Sequence, residues 1–141
     1  MEVAMSSTRQ GTAMAFLVGV GVAFVFALVI SVLPAWFFLE PGWRAVAFAA
    51  GAIAAPPTVW FLQGVARVVP GGQRRVALWG AIGAMTFDGL AIGFIPGLYG
   101  QTGDALAWAA AMLLVAFASL LIAAQVMIGL VAPDPEPTTT A

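Results

Sequence analysis

The chain has 141 residues, 62% hydrophobic and 8% charged, with a formal net charge of −1. A soluble domain carries roughly a quarter charged residues, so this composition excludes a water-soluble fold and makes the bilayer the solvent. The absence of Cys and His removes disulfides, thiolate and imidazole catalysis and the usual zinc, haem and copper ligands, and the charge offers nucleic acid no basic surface.

Residues 1–10 read as a short cytoplasmic N-terminus with Arg9 near its end. The apolar run over 12–33 exceeds the ~7–15 residues of a secretory h-region, and no small-x-small cleavage site precedes Pro34. It predicts a first span that is retained. Along it Gly11, Ala15, Gly19, Ala23, Ala27 and Ser31 recur every fourth residue. That spacing puts a strip of small side chains on one face, where another helix can approach closely. Pro34, Pro41 and Gly42 stop the helix, and Trp36, Phe37, Phe38 and Trp43 suit a membrane–water interface.

The second span covers 44–66 and holds Pro56 and Pro57 at its centre. Two prolines remove two backbone donors, so they predict a kink or a hinge. The freed carbonyls need neighbouring helices, the Thr58 hydroxyl or water. A basic loop, 67–75, holds three of the five Arg. The third span, 76–97, ends near Pro96. Asp104 is placed to cap the fourth span, 105–132. Residues 133–141, PDPEPTTTA, predict a disordered acidic tail.

With four spans, Arg9, Arg67, Arg74 and Arg75 fall on one side and Arg44 alone on the other. The positive-inside rule then puts both termini in the cytoplasm. All five basic residues are Arg, which with the abundance of Ala, Gly and Val points to a GC-rich bacterial genome and so to the inner membrane. The first and third spans also match weakly at an offset of 62, Gly21 with Gly83, Leu28 with Leu90, Ile30 with Ile92 and Leu33-Pro34 with Ile95-Pro96. Such a match is what an old duplication of a helical hairpin leaves. In this register Asp88 stands opposite Phe26.

Asp88 is the only ionisable residue inside a long apolar run. A charge at that depth costs about 2.5–3.5 kcal/mol on insertion scales, so it needs a partner, a cavity or a bound proton. At ~1.5 Å per residue, it lies roughly 13 Å from the helix end at Gly97. Thr58, Thr86 and Ser119 fall near the same depth on three helices, and Gln63 and Gln125 are nearly level with each other. These are its candidate polar partners. On the third helix Gly80 and Ala84 share the face of Asp88, and Gly89, Gly93 and Gly97 form a GxxxGxxxG run that offers a packing face. No paired carboxylates, nucleophile–base set or metal-ligand cluster occurs, so no enzyme and no cofactor is expected.

Asp88-Gly89-Leu90-Ala91, followed by Phe94-Ile95-Pro96 and an aromatic turn at Tyr99, resembles a family of small bacterial four-span membrane proteins of unknown function. The resemblance covers most of 15–130 and implies a four-helix fold without an assigned activity. The expected protein is an all-α integral membrane four-helix bundle whose immediate partner is the lipid bilayer. One functional reading is a non-catalytic packing or accessory module that forms a homo-oligomer or joins a larger membrane complex through small-residue faces. The other is a minimal proton- or cation-coupled transporter or channel centred on Asp88. Small multidrug exporters have a similar span count, but their carboxylate lies on the first helix, where this chain has none.

Overall fold

The computed structural model describes residues 2–66 and 73–131, and among these the chain is all-helical. The elements are α1 (Glu2–Val32), α2 (Trp36–Leu39), α3 (Pro41–Ile53), α4 (Ala55–Ala66), α5 (Gln73–Phe94), a 3-10 turn (Pro96–Tyr99) and α6 (Gly103–Val131). Four stretches are long and apolar enough to cross a bilayer: Gln10–Val32, Pro41–Val65, Arg74–Phe94 and Gly103–Met127. They form a four-helix bundle with its large apolar residues turned outward, among them Leu17, Ile53, Trp60, Phe94 and Ile122. An outer surface of that kind is stable against acyl chains and not against water.

The element boundaries depart from the sequence reading in four places. The helix of the first span begins at Glu2, so the polar N-terminal segment is part of α1; no Pro or Gly precedes Gly11 to stop it. The second span is two helices divided at Ala54. Pro56 and Pro57 fall in the first turn of α4, where backbone N–H groups have no intrahelical acceptor and proline costs little. The third span stops at Phe94, because Pro96 drives Ile95 out of the helical region, to φ −136° and ψ 55°. Asp104 lies inside the first turn of α6 rather than before it, where it complements the helix dipole. The basic loop is described only from Gln73 on, and the expected acidic tail lies outside the described residues.

The closest pairing is α1 against α5. Ala15, Gly19, Ala23 and Ala27 are buried on α1, as are Ala77, Gly80, Ala81 and Ala84 on α5. A Cβ on Gly19 would run into the Gly80 carbonyl oxygen, and one on Gly83 into the Phe16 carbonyl oxygen. The two backbones therefore touch, which only residues without a side chain permit. Phe24 and Phe87 meet edge to face at 6.0 Å farther along the same seam. Gly11, the first of the α1 strip, has open space where a Cβ would stand.

The core falls into two clusters. One sits beside the inter-span corners and centres on Ile30, Phe38, Ala47, Tyr99, Ala109 and Leu113. The other lies toward the opposite end and centres on Ala55, Val59, Leu62, Ala81 and Leu120. The break at Ala54 falls between them along the second span.

Candidate functional site

Asp88 is brought inward because α5 presents Gly80, Ala84, Asp88 and Ala91 at helical spacing to the bundle interior. It is buried, with 4% of its surface exposed. The Tyr99 hydroxyl donates a hydrogen bond of 2.5 Å to its Oδ1. Tyr99 is fully buried and comes from the 3-10 turn just past Pro96. The second oxygen, Oδ2, is buried and has no hydrogen-bond partner among the described residues.

Two residues on, Gln101 continues the polar cluster. Its Nε2 donates to the carbonyl oxygens of Ile30 (3.1 Å), in the last turn of α1, and of Leu33 (2.7 Å), just past its end. The Ile30 carbonyl also takes the Leu33 N–H at 3.1 Å, and Gln101 adds to this end, so the side chain caps α1 from a distant part of the chain. Gly100, between the two, takes a left-handed conformation (φ +63°), and a Cβ there would lie 2.6 Å from the Ser31 carbonyl oxygen. Gln101 Oε1, like Asp88 Oδ2, is buried without a hydrogen-bond partner among the described residues.

Beside Asp88 lies a partly open cavity of about 40 Å³ with walls from all four spans. It sits where the two core clusters meet, taking Leu113 from one and Leu62, Ala81 and Leu120 from the other. Its walls are mostly small residues, including Gly19, Ala23, Gly51, Ala84 and Ala116; Asp88 and Thr58 also border it, but the space meets almost only apolar atoms. A volume of about 10–15 Å³ on this measure suffices for one water, whereas an apolar cavity of about 150 Å³ admits benzene. This cavity falls between those limits.

The expected partners of Asp88 are placed elsewhere. The Thr58 hydroxyl donates to the Ala54 carbonyl oxygen at 2.7 Å. The Thr58 N–H bonds the same oxygen at 3.2 Å, so the hydroxyl does not serve the carbonyls that Pro56 and Pro57 leave free. Thr86 is exposed and donates to the Ile82 carbonyl oxygen at 2.7 Å. Ser119 and Gln63 are half-buried and Gln125 is exposed. Among the described residues no hydrogen bond joins Ser119 to Asp88 or Gln63 to Gln125. Gly89 and Gly93 are turned outward, with nothing within 4 Å of where a Cβ would stand, so their face does not pack inside the subunit. A half-turn of helix separates them from the inward row of Asp88.

Sequence reasoning missed Tyr99 and Gln101. Tyr99 is the chain's single tyrosine, and it follows the proline that ends the Asp88 helix. A hydroxyl at that place was the available signal. Gln101 carried none, because its acceptors are backbone carbonyls about seventy positions away (|i−j| of 71 and 68).

A second cluster marks the corner end of the bundle. The rings of Trp36 and Trp43 meet at 5.5 Å, Phe37 packs edge-on to Trp36 and tilted against Trp43, and the Arg44 guanidinium sits 3.8 Å over the Trp108 ring. Aromatic rings with a polar edge and an arginine stem suit the depth of lipid headgroups. No family model matches the chain, and neither the curated proteins nor the solved structures contain a match to it.

Proposed function

We propose that the protein is a non-catalytic packing or accessory module of a bacterial inner membrane, with both termini in the cytoplasm. The observation that carries this reading is the use made of Asp88. Its one hydrogen bond holds the turn after Pro96 onto α5, as Gln101 holds it onto α1, so the buried polar groups fasten the bundle. Ala15, Gly19, Ala23 and Ala27 of α1 are consumed within the subunit. The outward Gly89 and Gly93 of α5 remain free for lateral association with a second copy or another membrane protein.

The chain contains no cysteine, so single substitutions give clean crosslinking probes. Gly93→Cys is expected to form disulfide-linked species in native membranes and Leu114→Cys, outward on α6, to form none. Equal crosslinking at the two positions would remove α5 as the associating face. The orientation rests on Arg9 and the Arg67–Arg75 loop. A reporter inserted at Gly71–Gln73 is expected to read as cytoplasmic, and an external signal would reverse it.

A second reading, proton or cation movement through Asp88, is favoured by one observation, the buried Oδ2 without a partner. Flux into proteoliposomes that disappears in Asp88→Asn would establish it. Wild-type protein without flux, together with full cellular function of the Asn variant, would remove it.

A further inference from the structure

The cavity among the four spans is closed on three of its sides. The α5 wall is the back, with Gly80, Ala81, Ala84 and Asp88 all buried. Between α5 and α1 the backbones touch, and α5 packs against α6. Between α6 and α3 a Cβ on Gly51 would stand 3.3 Å from the Ala116 methyl. The fourth side lies between α1 and the second span. Past the break at Ala54, α4 packs on α1 as well as on α6, whereas α3 packs on α6 and scarcely on α1. The wall residues on this side, Val22 and Phe26 of α1 with Ala54 and Thr58, are half-buried. Val22 and Ala54 stand halfway along the spans Gln10–Val32 and Pro41–Val65, so the opening faces the middle of the bilayer.

Depth and chemistry decide what meets that opening. A water needs two to four polar partners. The Thr58 hydroxyl is engaged with the Ala54 carbonyl, and the unpartnered Oδ2 of Asp88 is shut off from the space. A lipid headgroup stays at the surface, ~15 Å from the middle of a hydrocarbon core ~30 Å thick. Left empty, the lining atoms forgo the dispersion contacts that a filled space supplies. The groups available at midspan are the ends of acyl chains. We propose that the cavity is an acyl-chain site, entered from the bilayer midplane between α1 and the second span, and that the terminal segment of a phospholipid chain occupies it. Its apolar walls match methyl and methylene groups, and Val22, Phe26, Ala54 and Thr58 form the entrance. The site goes beyond the association reading. It uses the seam between α1 and the second span, whereas association uses the outward face of α5, so a protein that associates without taking up lipid and one that takes up lipid without associating are different results.

The test is the nuclear Overhauser effect between lipid and alanine methyl groups, in full-length protein deuterated except at those methyls and held in nanodiscs of protonated phosphatidylcholine. Ala23 and Ala84 line the cavity and are buried. Ala109 is fully buried away from it, and Ala118 is exposed on α6. Contacts from chain-end protons are expected at Ala23, Ala84 and Ala118, with none at Ala109. Phosphatidylcholine deuterated at its chain ends is expected to remove them. Ala54→Leu narrows the entrance and is expected to lose the contacts at Ala23 and Ala84 while that at Ala118 stays. If this variant does not fold, the wild-type comparison of Ala23 and Ala84 with Ala109 still decides. Contacts at Ala118 but none at Ala23 or Ala84 in folded wild-type protein would overturn the proposal. So would contacts that survive deuterated chain ends or persist undiminished in folded Ala54→Leu. Contacts that arise only from a protonated second copy would also overturn it, by making the occupant a side chain of that copy.

Discussion

At Pro34 and again at Pro96 a long helix stops, the chain makes one short helical turn, and the next span begins. The residue plugging the bundle differs. In the first corner it is Phe38, fully buried in the core cluster of Ile30, Ala47, Ala109 and Leu113, with Phe37 edge-on beside it. In the second it is Tyr99, equally buried, with a hydroxyl that bonds Asp88 and a neighbour, Gln101, that bonds the end of α1. An apolar plug asks its surroundings only for a shape. A polar plug also asks for a partner at a fixed distance and direction. Both corners lean on the rest of the bundle, the first on α6 and the second on α1, but only the second needs its neighbour at a set distance and direction.

Truncating both plugs sets the scale for that comparison. Phe38→Ala and Tyr99→Ala are each expected to destabilise by about 3–5 kcal/mol, the cost of emptying a buried aromatic site. Reversible unfolding in mixed micelles measures it. A loss under ~1 kcal/mol at either position would mean that corner does not plug the core. Tyr99→Phe isolates the hydroxyl, and should cost about 1–3 kcal/mol by leaving Asp88 with both oxygens unpartnered. The double change Asp88→Leu with Tyr99→Phe is expected to recover most of that loss, since removing both partners leaves nothing unsatisfied. A cycle in which the two changes simply add would break the link between the carboxylate and the corner.

Gln101→Met keeps the length of the side chain and removes the hydrogen bonds to Ile30, in the last turn of α1, and to Leu33, just past it. A loss of about 1 kcal/mol is expected, with faster amide exchange confined to the last turn of α1 and the Pro96 corner. Exchange that quickens at the Pro34 corner instead would contradict the division of labour. The smallest effect is assigned to Gly93→Ala, outside both corners. It should raise monomer stability by about 0.4–1 kcal/mol through the unfolded chain, while weakening any crosslink formed through that face.

Hydropathy and helix length made the four spans legible, because a bilayer leaves so few ways to satisfy a backbone. The α1 strip was legible too, since a four-residue repeat of small side chains has one geometric meaning. The partner of Asp88 was not. Depth was counted along straight helices from loop to loop, which selects Thr58, Thr86 and Ser119, whereas Tyr99 reaches back from beyond the helix end. Hydroxyls inside helices also have a nearer acceptor, the carbonyl four residues back, and Thr58 and Thr86 both take it. Gly89 and Gly93 have the right spacing for packing but the wrong azimuth, and the row through Gly80, Ala84 and Asp88 already defined which side of α5 is inner.

The contact of Gly19 with Gly80 has a mechanical consequence. Packed helices ordinarily slide or roll by letting the side chains between them change rotamer. Between α1 and α5 that compliant layer is missing, because carbonyl and Cα meet directly. Rolling either helix by one residue would drive a Cβ into the other's backbone. The pair is therefore stiff, and any cycle of shape change must be borne by the elements around it: α6 and the second span, which is already divided at Ala54 where it passes the cavity.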